Sequence, residues 1–245
     1  KDIAQEHVLK ALEPIWKQKT ETATRLRGRI ESVLDWAAVR KYRAGDNPAR
    51  WKGHLDKLLP APSKIQKVEH HRALPAAQMP TFISDLQTRE GIAARALEFA
   101  VLCAARSGEV RGARWSEIDM VAGVWVVPAQ RMKAGKEHRV PLSIQAMALL
   151  KALPRATESA LVFDTNQGKP LSDMALTSVL RRMKVDAVPH GFRSTFRDWA
   201  GEMTNHPREI AEQALAHALE NKVEAAYRRG DALEKRRAMM QDWAD

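Results

Sequence analysis

The sequence predicts a mainly α-helical protein with a small antiparallel β-sheet, which is an α+β fold. Apolar residues recur at helical spacing through most of the chain, and two short runs, WSEID and VWVVP, have the composition of β-strands. The stretch LPAPSKIQKVEHHRALP is rich in proline and lysine and is typical of a linker. These observations predict a helical domain at residues 1–62, a basic linker at 63–74 and a second domain at 75–245.

The first domain is predicted most clearly by TETATRLRGRIESVLDWAAVR, residues 20–40. Its apolar positions repeat as they do on one face of a helix: Leu26, Ile30, Val33, Leu34 and Ala37. The arginines on the rest of this helix are expected to be solvated. A short helix is expected in ARWKGHLDKLL, after the turn signal GDNP.

The second domain is predicted to be helical around one β-hairpin. The predicted helices are, in order, MPTFISDLQTR, GIAARALEFAVLCAA, SIQAMALLKAL, SDMALTSVLRRM, HGFRSTFRDWAGEM, PREIAEQALAHAL and DALEKRRAMMQDWA. VWVVP and the following RMKAGKEHRVPLS predict the hairpin, because the central Ala-Gly can reverse the chain. Lys133 then lies near its tip, and the return strand contains Arg139, Val140 and Leu142.

Charge and composition indicate the kind of partner. The chain has 40 Lys and Arg residues against 30 Asp and Glu, a net charge of +10 with a pI near 9.9. Such a surplus favours a polyanion, and nucleic acid in particular. The single cysteine, Cys103, excludes a disulfide framework and indicates a reducing compartment. No run of eighteen apolar residues and no signal-peptide pattern is present. The sequence therefore predicts a cytoplasmic protein with no membrane partner.

Several catalytic templates are missing from the sequence. It contains no GxxxxGK[ST] or GxGxxG loop, no HExxH and no GxSxG elbow. The acidic residues fall singly, without a cluster that would hold two magnesium ions. We therefore predict no cofactor and no metal. The chain begins at Lys1 and its first methionine is Met79, which predicts a fragment of a longer protein.

What remains is a set of residues suited to a phosphate group. In HGFRSTFRDWA, His190 and Arg193 would share one helix face, with Arg197 one turn further on. Guanidinium groups offer planar pairs of donors to phosphate or carboxylate oxygens. The remaining candidates are Arg106, Lys133, His217 and Tyr227. Taken singly, three of them have a simpler structural interpretation: Arg106 would pair with Glu109, Lys133 would be a solvated turn residue and His217 a core residue. Arg197 could contact a DNA phosphate or an acid of its own chain.

In their order along the chain, these residues resemble the tyrosine recombinases, in the bacteriophage and genomic-island integrase branch. The matching features are Arg106 with Glu109 and Trp115-x-x-Ile118-Asp119, Lys133 before Val140-Pro141-Leu142, the His190-x-x-Arg193 box, His217 and Tyr227. The match runs from residue 106 to 227 and retains all six functional positions. Two features depart from the commoner pattern: LAH stands where Leu-Gly-His is usual, and Tyr227 follows His217 by ten residues, one more than usual.

The resemblance implies an integrase-type catalytic domain behind a helical core-binding domain, with an N-terminal arm-binding domain missing from this chain. It implies that Tyr227 is the nucleophile of a 3′-phosphotyrosine intermediate, formed at the attachment sites of duplex DNA without metal or cofactor. Arg106 and Arg193 would stabilise the transition state, His190 would accept the tyrosine proton, His217 would donate to the phosphate and Lys133 would protonate the leaving 5′-oxygen.

The resemblance also implies a homotetramer on DNA and accessory DNA-bending or directionality proteins. Two rival functions stay open at this point: a type IB topoisomerase-like enzyme, which shares most of this residue set, and a non-catalytic DNA-binding descendant of an integrase. The C-terminal helix could dock on a neighbouring protomer, as is common in the family, or pack on its own domain. Its candidate packing residues are Ala232, Leu233, Met239, Met240 and Trp243.

Overall fold

In a computed structural model of the protein, residues 3–65, 71–154, 160–165, 168–217 and 230–245 are described. The chain divides into two compact units, Lys1–His70 and His71–Asp245, which are considered separately below.

The first unit is a small helical domain. It contains α1 (Gln5–Trp16), α2 (Thr20–Val39), a 3₁₀ turn (Leu55–Lys57) and the one-turn helix α3 (Pro62–Ile65), so the prediction of a long helix at residues 20–40 is confirmed. Its core joins apolar faces of α1 and α2 to the following loops: Val8, Leu12, Trp16, Ala23, Leu34, Ala49, Leu55 and Leu59. Trp16 stacks on Trp51 with ring centroids 5.5 Å apart. Of the apolar residues that repeat along this helix, Val33 is exposed, with 63% of its surface accessible.

The second unit is mostly helical around a three-stranded sheet, as predicted. Its elements are α4 (Met79–Gln87), α5 (Ile92–Leu102), α6 (Ser107–Arg111), β1 (Ile118–Asp119), β2 (Val124–Val127), β3 (His138–Pro141), α7 (Ile144–Ala152), α8 (Ala175–Arg182), α9 (Gly191–Glu202), α10 (Arg208–Ala214) and α11 (Leu233–Ala244). The sheet has the order β1-β2-β3 with antiparallel neighbours, and Trp125 of β2 pairs with Val140 of β3. The predicted hairpin is therefore confirmed, with Lys133 in its turn.

The strand predicted over WSEID is shorter than expected. Trp115–Glu117 forms a 3₁₀ turn, and only Ile118–Asp119 pairs with β2. The reason is the side chain of Glu117, which accepts hydrogen bonds from the backbone N–H of Arg114 at 3.2 Å and from Nε1 of Trp125 at 3.0 Å. These hydrogen bonds stabilise the 3₁₀ turn, so strand pairing begins three residues later than predicted.

The main core of the second unit surrounds α5, which is apolar on nearly all sides. Phe99 lies at its centre and contacts the rings of Trp125 and Phe163, with centroids 5.4 and 5.3 Å away. A helix of this kind is expected to be enclosed by other elements. Its burial fixes the position of the segment that follows it, Cys103–Arg106, which leads into the candidate site.

The C-terminal helix α11 packs on its own unit. Met239 and Met240 are buried against α9 and α10, in a cluster that includes Phe196 and Leu215. Nε1 of Trp243 donates to the carbonyl of Val101 at 2.9 Å. In this single chain α11 therefore packs on its own domain, which is one of the two predicted alternatives. Nowhere in the described ranges is there a helix both long and apolar enough to span a bilayer.

Candidate phosphate-binding site

Among the described residues of the predicted site, Arg193 is the most buried, with 4% of its surface exposed. It lies in the first turn of α9, where NH1 donates to the carbonyl of Ala104 and NH2 to the carbonyl of Leu215. Burial and the nearby charge of Arg106 lower the pKa of Arg193 to about 10, so the guanidinium remains cationic at neutral pH. Its buried Nε–H has no hydrogen-bond partner among the described residues.

Two residues with left-handed backbones position the carbonyls that hold Arg193. Ala104 has φ +46° and provides one accepting carbonyl itself, and Ala216, with φ +49°, follows Leu215. Residues other than glycine rarely adopt this conformation, which costs about 1–2 kcal/mol. Ala216 occupies the place where the commoner family pattern has glycine, so the departure noted in the sequence coincides with backbone strain.

Arg106 lies at the start of α6 and forms the predicted ion pair with Glu109. The carboxylate of Glu109 accepts from NH1 of Arg106 at 2.8 Å and from its backbone N–H at 3.0 Å. Glu109 is buried, whereas 23% of the Arg106 side chain is exposed. Because the charge of Arg106 acts on Arg193, the pairing with Glu109 does not remove Arg106 from the site. One carboxylate thus faces two guanidinium groups.

His190 precedes α9 and lies at the exposed side of the site. Partial burial is the main cause of its lowered pKa, followed by the charge of Arg193 and by His71. The imidazole is therefore neutral at neutral pH and has a ring nitrogen able to accept a proton. Arg106 and His217 lower the same pKa by smaller amounts.

His217 completes the group and is held on both ring nitrogens. Nδ1 lies 2.7 Å from Oε2 of Glu212, and Nε2 lies 3.3 Å from NH2 of Arg193. Glu212 also accepts from Nε of Arg197 at 2.8 Å. Arg197 is thus paired with an acid of its own chain, one of the two alternatives predicted for it. The interpretation of His217 as a core residue is wrong, because 40% of its side chain is exposed.

The segment 71–74 packs against the start of α9, next to His190. The sequence does not indicate this contact. The carbonyl of Arg72 accepts from the backbone N–H of Val188 at 3.1 Å, and the carbonyl of Leu74 accepts from the hydroxyl of Thr195 at 2.6 Å. A Cβ atom on Gly191 would lie 2.0 Å from the Arg72 carbonyl oxygen. The glycine of HGFR is therefore required for this close approach.

Three further residues support the site but could not be predicted from the sequence. The ring of His71 packs edge-on against His190, with centroids 4.7 Å apart. His138 donates through Nε2 to the carbonyl of Ala214 at 3.2 Å, and burial is the main cause that lowers its pKa to about 4. Arg131 bonds to the carbonyls of Gly112 and Glu109 and pairs with Glu117, which ties α6 to the sheet. Their partners lie far away in the sequence, so local spacing gives no signal for them.

The structure brings together four of the six predicted residues: Arg106, His190, Arg193 and His217. Lys133 is exposed in the hairpin turn, and within the described ranges no hydrogen bond or ion pair joins it to the other four. Tyr227 lies in residues 218–229, outside the described residues. No cluster of three or more His, Cys, Asp or Glu side chains suited to a metal occurs in the described part of the chain. The four residues bring two guanidinium groups and two imidazole groups together at one site.

Comparisons with known proteins give the family. The model of the phage integrase family matches residues 72–234, and that of the phage integrase central domain matches residues 1–54. The chain belongs to the phage integrase family. It is 33% identical over 270 residues to the integrase of Enterobacteria phage P4, a match that covers 100% of this chain and 60% of that relative. It is 32% identical over 249 residues to the prophage integrase IntZ of Escherichia coli K12, where the match covers 100% and 60%.

Solved structures share the fold. A lambda integrase dimer bound to a COC′ core site aligns with a TM-score of 0.64 at 18% identity, covering 94% of this chain and 81% of that one. The Tn1549 transposon integrase in complex with circular intermediate DNA aligns with a TM-score of 0.59 at 14% identity, covering 94% and 86%. The chain spans about 60% of the length of the phage P4 and IntZ relatives.

Proposed function

We propose that this chain is the core-binding and catalytic part of a tyrosine-type site-specific recombinase, an integrase that cleaves and rejoins duplex DNA through a 3′-phosphotyrosine intermediate. The observation that carries the proposal is the convergence of Arg106, His190, Arg193 and His217 on one site, with the guanidinium of Arg193 almost fully buried. In the proposed division, the first unit, Lys1–His70, binds DNA and the second unit, His71–Asp245, performs the chemistry. Residues 71–74, predicted as the end of the linker, pack against α9 in the second unit.

The two arginines suit the charge that develops at a scissile phosphate. Attack by a tyrosine oxygen adds negative charge to the non-bridging oxygens, and preorganised donors stabilise that charge most when water is excluded. Arg193 is already fixed by two backbone carbonyls, so it needs little reorganisation when the phosphate binds. A buried N–H without a partner costs about 1–3 kcal/mol, and a phosphate oxygen bonded to Nε of Arg193 would recover that free energy.

The proton transfers follow from the protonation states. A tyrosine hydroxyl ordinarily has a pKa of about 10 and needs a base to attack at neutral pH. His190 is the proposed base, because its lowered pKa leaves it neutral. Tyr227 is the proposed nucleophile, and Lys133 the proposed acid that protonates the leaving 5′-oxygen. The exposed hairpin turn that carries Lys133 would deliver it to the DNA.

The partners follow from the same proposal. The net charge of +10 favours duplex DNA, and the attachment sites of a phage or genomic island are the proposed substrates. A lambda integrase tetramer bound to a Holliday junction has the same fold, with a TM-score of 0.64, which supports a homotetramer on DNA here. We further propose cytoplasmic localisation with association to the nucleoid, and accessory DNA-bending or directionality proteins.

Covalent trapping on nicked DNA tests this function. The chain is incubated with an attachment-site duplex that carries a nick near the scissile phosphate, so that the 5′-hydroxyl fragment diffuses away and the adduct accumulates. A denaturing gel should show protein-linked DNA. Binding to the intact duplex should weaken with a slope of about −0.9 per phosphate contact in log K against log salt. Binding without any adduct would indicate a non-catalytic DNA-binding protein. Relaxation of supercoils without strand exchange would indicate a topoisomerase.

A further inference from the structure

Glu212 is a half-buried carboxylate that contacts the site without belonging to the predicted set. It lies on α10 and has 19% of its side chain exposed. Oε2 is 2.7 Å from Nδ1 of His217, and Oε1 accepts from Nε of Arg197 at 2.8 Å. The guanidinium of Arg208 is further away, with Nε 3.9 Å from Oε1. The carboxylate therefore joins the end of α10 to α9, one helix turn beyond Arg193.

These contacts keep the carboxyl group of Glu212 ionised. Partial burial raises the pKa of the carboxyl group, but the hydrogen bonds from His217 and Arg197 outweigh this effect and hold the pKa below its usual range. Glu212 is thus an anion and can only accept hydrogen bonds. Its Oε2 atom consequently requires a proton on Nδ1 of His217.

The other ring nitrogen of His217 has the opposite requirement. Nε2 faces NH2 of Arg193 at 3.3 Å, and a guanidinium can only donate. Nε2 must therefore be unprotonated in this arrangement. A single neutral tautomer, with the proton on Nδ1, satisfies both neighbours. A hydrogen bond to one ring nitrogen of a histidine commonly fixes the tautomer and the orientation of the ring in this way.

We propose that Glu212 is a positioning residue, which holds His217 by Nδ1 so that Nε2 faces the scissile phosphate, and which stabilises the imidazolium formed there. This inference rests on the proposed function. When a phosphate oxygen approaches, it offers Nε2 an acceptor in place of the Arg193 donor. His217 then takes up one proton from solvent at Nε2 and donates it in a hydrogen bond to that oxygen. The ring then lies between two anions, Glu212 and the phosphate, whose charges oppose the repulsion from the nearby guanidinium of Arg193.

Two measurements test the proposal. The first is ¹⁵N NMR of histidine-labelled protein without DNA, with the His217 signals assigned by their loss in His217→Gln. The proton should reside on Nδ1 in the neutral ring. A neutral ring protonated on Nε2 would overturn the proposal. This readout needs no activity, so it still decides the matter if the chain proves unable to cleave DNA and the proposed function fails.

The second measurement is the single-turnover rate of adduct formation at saturating protein. Glu212→Gln keeps the shape and removes the charge, and should lower the rate by about 10–100-fold with DNA affinity unchanged. In a His217→Gln background the same change should lower the rate by less than about 3-fold, because the two residues act as a unit. Glu202→Gln, at an exposed position in the last turn of α9, is the matched control and should leave the rate unchanged.

The outcomes separate positioning from general stability. If Glu212→Gln slows adduct formation equally with and without His217, the carboxylate acts through the fold and the proposal is wrong. If it has no effect on the rate, the proposal is also wrong. Thermal unfolding of each variant provides the check that the compared proteins are folded.

Discussion

Replacing Gly191 with alanine should destabilise the second unit, because a Cβ atom at this position has no space. It would lie 2.0 Å from the carbonyl oxygen of Arg72 and 2.9 Å from the carbonyl carbon, and both are backbone atoms that no side-chain rotation can move. The segment at residues 71–74 would have to withdraw from the start of α9. Withdrawal breaks the hydrogen bonds from Val188 to Arg72 and from Thr195 to Leu74.

The magnitude follows from those two bonds. Each buried polar group left without a partner costs about 1–3 kcal/mol, and partial rehydration of the exposed segment recovers some of that free energy. We expect a loss of about 2–4 kcal/mol in the free energy of unfolding. For a unit of this size, each kcal/mol corresponds to about 2–4 °C in Tm, so the transition should fall by about 5–15 °C.

Gly201→Ala provides the matched control within α9. Gly201 is exposed and has open space where a Cβ would be placed. Alanine is favoured over glycine in a helix by about 1 kcal/mol, so this variant should be more stable than the parent. Differential scanning calorimetry should show a lower Tm than the parent for Gly191→Ala and a higher Tm for Gly201→Ala. A Gly191→Ala protein as stable as Gly201→Ala would refute the packing of residues 71–74 against α9.

Three further variants follow from the site. Ala216→Gly should relieve the left-handed strain at φ +49° and raise the free energy of unfolding by up to about 1 kcal/mol, measured in urea, whereas a destabilised variant would contradict the strain. The pKa of His138 is lowered from 6.5 to about 4, so the unfolded chain binds this proton more readily. Its stabilising contribution is complete above pH 6.5 and is lost as the pH falls toward 4, and His138→Gln should flatten that part of a stability profile measured by urea titration. Arg193→Ala should lower the rate of adduct formation by about 100-fold or more while DNA affinity changes much less, and an equal loss of both would mean that Arg193 only holds DNA.

Local patterns were enough to predict most of the fold. The helix α2, the hairpin of β2 and β3 and the helix α11 each follow from periodicity and turn residues within one segment. Departures occur where a contact from elsewhere decides the local conformation. Glu117 converts the start of a predicted strand into a 3₁₀ turn, because Trp125 and the backbone of Arg114 both donate to it.

The site shows the same division between local and distant information. His190 and Arg193 share one helix turn, and Arg106 and Glu109 share another, so their spacing could be read directly. Glu212 could in principle have been found, since it precedes His217 by five residues in an adjacent turn. Contacts between segments far apart in the chain could not be read. The packing of His71 on His190 and of Arg72 under Gly191 depends on how the chain closes upon itself.

Mapping the DNA linkage by mass spectrometry tests the central claim most directly. Adduct formed on nicked duplex is digested with protease and nuclease, and the peptide that retains a nucleotide is sequenced. The linkage should be on Tyr227, and Tyr227→Phe should bind DNA with the affinity of the parent while forming no adduct. Tyr42→Phe, at the other tyrosine of the chain, should form adduct at the parent rate. A nucleotide on any other residue, or adduct from Tyr227→Phe, would contradict the proposed mechanism.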